Sequence, residues 1–188
     1  NSEMNNGKNT TPGPDAERGP DASSNNSPDY TVAIIGAGFG GIGMAIRLKK
    51  AGVGPFVMLE RAAEVGGTWR DNTYPGCACD VPANTYSLSF ETNPDWHHKF
   101  ARAAEIQAYL LRTVEKHGLR EHLRLNTAVK SAVYDEERAT WTLQTSSGDS
   151  ITARVYIAAT GGLVEPATPS IEGLVNFRGK IFHTARWD

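Results

Sequence analysis

The segment Gly36-Ala37-Gly38-Phe39-Gly40-Gly41 constrains this chain more than any other. It follows the apolar run Thr31-Val32-Ala33-Ile34-Ile35 and leads into Ile42, Met44, Ala45, Ile46 and Leu48, a helical pattern. A strand that hands glycines at the first, third and sixth positions to a helix start is how a protein holds a dinucleotide pyrophosphate. Gly36 permits the tight turn, Gly38 lets the backbone approach the phosphates because no Cβ intervenes, and Gly41 lets the helix pack close to the strand. The helix N-terminus, beginning at Phe39, then offers unpaired N–H groups to the anion.

A second apolar run, Pro55-Phe56-Val57-Met58-Leu59, ends in Glu60. That is about twenty residues beyond the glycines, where this arrangement carries an acid that accepts hydrogen bonds from ribose hydroxyls. A carboxylate there repels a 2′-phosphate, so the site is expected to take FAD or NAD rather than NADP. Replacing Glu60 by Gln is expected to weaken cofactor binding and spare the fold.

With 19 basic and 21 acidic residues the net charge is -2, and the signs are interspersed, which gives no long-range attraction for nucleic acid. No apolar run approaches the ~20 residues that span a bilayer, and no signal-peptide pattern is visible, so a cytoplasmic protein is expected. The two cysteines, Cys77 and Cys79, match neither a disulfide framework nor a metal-site spacing, so no metal is expected.

Residues 1–28 are Asn, Ser, Gly, Pro and charge, with Met4, Ala16 and Ala22 as the apolar members, a composition expected of a disordered tail. From Asp29 the order is strand, glycine turn, helix and second strand. Arg61 to about Lys99 reads as loop. Ala104 to Glu115 then places Ile106, Tyr109, Leu110 and Val114 on one helix face, with a stop at His117-Gly118. Short strands follow at Leu123–Leu125 leading to Val129, Ala132–Tyr134, Thr140–Gln144 and Ile151–Ala158, separated by turns at Asp135–Arg138 and Ser146–Asp149. The expected fold is α/β: a Rossmann-like FAD/NAD(P)-binding fold with a parallel sheet and a small antiparallel β-meander.

Two further segments make the reading more specific. Gly66-Gly67-Thr68-Trp69, continuing through Tyr74-Pro75-Gly76 to Asp80, resembles the flavin-proximal fingerprint [AG]GxWxxxx[FY]P[GM]xxxD of Baeyer-Villiger monooxygenases. Phe177-Arg178-Gly179-Lys180-Ile181-Phe182-His183-Thr184-Ala185-Arg186-Trp187-Asp188 is similar to that family's linker fingerprint FxGxxxHTxxW[PD], and every specified position of both is filled. With Ala159-Thr160-Gly161 after the last strand, the resemblance covers residues 30–188.

The resemblance implies that Thr68, Trp69, Arg70 and Asp71 line the FAD site. Ala78, Cys79 and Asp80 would lie toward the flavin and the nicotinamide, Tyr86 against the flavin, and Val129 with its backbone toward the adenine. Asp80 is the catalytic candidate, since a carboxylate beside a nicotinamide amide or an arginine can orient the hydride donor and adjust the charge felt by reduced flavin. The implied chemistry uses NADPH, FAD and dioxygen to insert oxygen beside the carbonyl of a small ketone. Residues 29–175 are then expected to be the FAD-binding domain and 176–188 the start of a linker to an NADPH domain missing from this chain. An oxygenase acting on nitrogen or sulfur, and a non-catalytic FAD-binding module, remain open alternatives at this point, and the oligomeric state is not readable.

Overall fold

The computed structural model describes residues 27–188, so residues 1–26 of the expected tail lie outside the described residues. Strand β1 (Tyr30–Ile35) is central in a six-stranded sheet. It pairs in parallel with β2 (Phe56–Leu59) on one side and with β6 (Ser150–Ala158) on the other, Ile34 lying level with Met58 and with Ile157. The edge beyond β2 is the two-residue β3 (Leu123–Arg124), also parallel. Beyond β6, strands β5 (Thr140–Thr145) and β4 (Val129–Asp135) run antiparallel, giving the order β3-β2-β1-β6-β5-β4. The antiparallel meander is therefore no separate layer, because β6 serves both halves of one sheet.

Both faces of the central strands are buried, which is why β1 and β2 read as unbroken apolar runs rather than alternating ones. On one face Val32, Ile34, Phe56 and Met58 meet helices α1 (Phe39–Lys50) and α3 (Ala103–Lys116). Helix α1 contributes Ile42, Ala45 and Ile46, and α3 contributes Tyr109, Leu110 and Val114. On the other face Ala33, Val57 and Leu59 join Leu143, Ile151 and Ala153 of the meander. Arg47, Lys49 and Lys50 in the last turn of α1 suit the negative end of its dipole.

The stretch from 61 to 99 departs from the loop reading at two places, one of them a 3-10 turn at Ala83–Thr85. Residues Thr68–Asp71 close a single helical turn, α2, too short to leave a periodic trace in sequence. After β6 the backbone forms no strand, only short 3-10 turns at Leu174–Asn176 and Thr184–Arg186.

Candidate cofactor site

The sheet grows in opposite directions from β1: the connection through α1 leads to the parallel strand β2 on one side, while the parallel strand β6 lies on the other. A crevice outside the C-terminal ends of the strands is the natural ligand position at such a switch point. A cleft of about 580 Å³ opens there. Its floor is Gly36–Gly40 from the glycine turn, and its walls are Glu60 and Arg61 after β2, Gly66–Arg70, Tyr86, Thr127–Val129, and Ala159–Gly162 after β6.

The glycines divide their work. Gly36 has φ +99°, and a Cβ on it would come within 2.6 Å of the Ala159 carbonyl oxygen. A Cβ on Gly41 would lie 1.9 Å from the Gly36 carbonyl oxygen, so Gly41 sits behind the cleft and lets α1 pack against the turn. Gly38 differs from both: its φ is an ordinary -86°, and a Cβ would meet only the Gly67 Cα, at 3.9 Å. The Gly38 and Gly67 backbones lie close together, a Cβ on Gly67 coming 3.4 Å from the Gly38 Cα, and neither puts a side chain into the cleft beside them. No side chain caps α1 and no acid lies in its first turn, while the Ile42 N–H is the one that bonds back to Gly38 O. The amides of Phe39, Gly40 and Gly41 are the orphan donors of a helix start, available to an anion.

Glu60 is 4 % exposed and firmly held. Its Oε2 accepts from the Ala37 N–H at 2.9 Å, and its Oε1 accepts from the Ala62 N–H at 3.0 Å and lies 3.0 Å from Arg70 Nη1. Arg70 also forks onto Asp71, Nε to Oδ1 at 2.8 Å and Nη2 to Oδ2 at 3.0 Å, and donates to the Glu64 carbonyl. Burial disfavours the guanidinium charge, but the Asp71 and Glu60 carboxylates outweigh it and push the Arg70 pKa up. A carboxylate has about four acceptor positions, so Glu60 keeps one for an incoming hydroxyl. Beyond the expected cofactor role, Glu60 ties the glycine turn to the end of β2.

Opposite stands an aromatic wall. Trp69 Nε1 donates to the Tyr86 hydroxyl at 3.0 Å, and Phe39 meets the Tyr86 ring edge-on with centroids 5.0 Å apart. Burial pushes the Tyr86 phenol pKa up, keeping it a neutral hydrogen-bonding group.

With this geometry the chain can be set beside known proteins. Residues 34–103 match a family model described as an NAD(P)-binding Rossmann-like domain. Over 157 residues the chain is 52 % identical to a Baeyer-Villiger monooxygenase of Streptomyces coelicolor and 50 % identical to one of Pseudomonas aeruginosa, in each case 84 % of this chain and 30 % of the relative. An oxidized steroid monooxygenase bound to NADP superposes with a TM-score of 0.75 at 41 % identity, over 85 % of this chain and 31 % of that one. The cyclohexanone monooxygenase from Rhodococcus sp. Phi1 bound to NADP+ gives 0.78 at 34 % identity, over 86 % and 32 %. This chain is similar to Baeyer-Villiger monooxygenases over 84 % of its length. It spans about 30 % of the length of those curated relatives.

Of the residues that the family's motifs single out, the cleft gathers Thr68, Trp69, Arg70, Tyr86 and Val129, together with Gly36, Gly38, Phe39 and Glu60 from the glycine turn and its acid. Asp71 stands behind Arg70. The other three family-motif residues lie beyond the aromatic wall. Cys79 is buried with Ala83, Ala101 and Ile106, against the rings of Trp69 and Tyr86. Ala78 is exposed and bridges to Arg102, and Asp80 is exposed with its Oδ1 4.0 Å from Cys79 Sγ.

Sequence reasoning missed Arg61, Thr127, Ala128, Gly162, Val164 and Glu165 as cleft residues. Arg61 pairs with Glu165 and donates to the Val164 carbonyl, which links the exits of β2 and β6 across the end of β1. Only the sheet order brings those two exits together, so no local signal could have announced them. Among the described residues no helix is long and apolar enough to cross a membrane, and no three His, Cys, Asp or Glu side chains are grouped to hold a metal.

Proposed function

We propose that the cleft binds FAD and that the protein carrying this chain is an NADPH- and dioxygen-dependent monooxygenase that inserts oxygen beside the carbonyl of a small ketone. The observation that carries this is the side of the cleft formed by Gly38 and Gly67, bare of side chains and flanked by the uncapped start of α1. A diphosphate fits there because neither backbone carries a Cβ and the charge of the α1 terminus is uncompensated. The solved complex of OTEMO with FAD and NADP, to which this chain is similar, supports the choice of cofactors.

In this reading Gly36, Gly38, Phe39 and Gly41 form the phosphate-binding turn, Glu60 receives a ribose hydroxyl at its remaining acceptor position, and the Val129 backbone faces the adenine. Thr68, Trp69, Arg70 and Asp71 line the middle of the cleft. Tyr86, oriented by Trp69 Nε1, presents an apolar ring edge that excludes water from the flavin end. Asp80, with Ala78 and Cys79, lies toward the nicotinamide and orients the hydride donor. When bound, FAD supplies the redox chemistry, taking electrons from NADPH and passing them to dioxygen. Residues 29–175 act as the FAD-binding domain, residues 176–188 begin a linker, and the cytoplasm, where NADPH is regenerated, is the setting this chemistry needs.

The test is to incubate the protein carrying this chain with FAD, NADPH, labelled dioxygen and a cyclic ketone. A lactone with one labelled oxygen atom is expected. Oxygenation of amines or sulfides with no lactone would overturn the ketone assignment, and FAD binding without NADPH consumption would leave a binding module.

A further inference from the structure

The second glycine loop is held from below by a side chain outside every motif considered so far. Gln107, on α3, donates from Nε2 to the Val65 carbonyl at 2.8 Å. That carbonyl can only accept, so it fixes the orientation of the amide. The Gln107 Oε1 is consequently buried with no hydrogen-bond partner. A Cβ on Gly66 would fall 1.9 Å from this oxygen and 2.6 Å from Gln107 Cδ, so the amide fills the room that Gly66 leaves. On its other side Gly66 donates its N–H to the Ala37 carbonyl of the first glycine turn at 2.9 Å. The loop is clamped between that turn and Gln107, and the next residue, Gly67, lies against Gly38, where a Cβ would come 3.4 Å from the Gly38 Cα.

A buried amide oxygen without a donor opposes folding, so Gln107 is not accounted for by its part in the core. Its gain is in the shape of the loop. We propose that Gln107 is a positioning residue for the cofactor: through the Val65 carbonyl it holds the Gly66-Gly67 backbone against Gly38, in the wall of the cleft on which the nucleotide diphosphate rests. This rests on the FAD reading of the cleft.

The test compares the unaltered chain with Gln107→Leu and, as a second apolar replacement of closer shape, Gln107→Met. FAD, ADP and adenosine are titrated separately, and the melting temperature is measured without ligand. Both variants are expected to bind FAD and ADP about threefold to tenfold more weakly, the scale of one neutral hydrogen bond, with adenosine affinity unchanged. The melting temperature without ligand is expected to stay about level, because losing the orphan oxygen is offset by leaving the Val65 carbonyl without its donor. Unchanged FAD and ADP affinity, or equal losses for ADP and adenosine, would overturn the inference. If the unaltered chain bound neither FAD nor ADP, the FAD reading itself would fall and this inference with it.

Discussion

Three glycines of one turn differ in what a single methyl group would do to them. At Gly38 the φ is ordinary and the nearest atom to an added Cβ is 3.9 Å away, so Gly38→Ala should fold with an unchanged melting temperature. That methyl group projects into the space assigned to the diphosphate, and FAD affinity should fall by at least about tenfold, the effect of a lost charged contact. Gly41→Ala should do the reverse, because its Cβ would meet the Gly36 carbonyl at 1.9 Å and one of the two backbones must move. Overpacking of ~1–3 kcal/mol should lower the melting temperature by about 2–12 °C. Thermal melts and FAD titrations of both variants check the division. The glycine spacing made all three legible as a set, but their separate tasks depend on Ala159 and Gly67, which are distant in sequence.

Glu60 was legible as an acid at the end of β2, yet not as a buried tie. A Gln there keeps one carbonyl oxygen but turns an NH2 toward backbone N–H donors or toward Arg70. Glu60→Gln should therefore cost roughly 1–3 kcal/mol of stability as well as cofactor affinity. Chemical denaturation without ligand checks this; an unshifted midpoint would mean that the three contacts of Glu60 contribute nothing net.

Among the elements, α3 carries the clearest pH dependence. Glu105, in its first turn, accepts from the His97 and Arg102 backbone N–H groups and meets the rings of His97 and His98. Burial alone would push this carboxyl up, but those hydrogen bonds outweigh it and hold the pKa down to about 2, from an ordinary 4.5. A depressed pKa means the folded state favours the ionised form. The stabilisation is complete above pH 4.5 and disappears as pH falls toward 2. Acid unfolding curves should steepen in that window, and Glu105→Gln, which can still cap the helix, should flatten them. Helices α1 and α3 were legible because their apolar spacing repeats over enough residues to define a period, and β1 and β2 because they are unbroken apolar runs. The four-residue α2 lacks a period, and the pairing of β6 with β1 joins segments so far apart that local pattern carries no trace of it.

At the scale of the whole molecule, one six-stranded sheet places three strand exits around a single crevice, and every part of the functional reading depends on what enters it. Of the lining that comes after β6, Gly162, Val164 and Glu165 were invisible to sequence reasoning for the same reason as the sheet order. Titration of the purified chain with FAD, followed by flavin fluorescence, tests the central claim most directly, with Gly38→Val as the control that puts a side chain into the cleft beside Gly67. The account predicts saturable binding of a single equivalent of FAD that the substitution abolishes. No saturable binding to the unaltered chain, or equal binding to the variant, would contradict it.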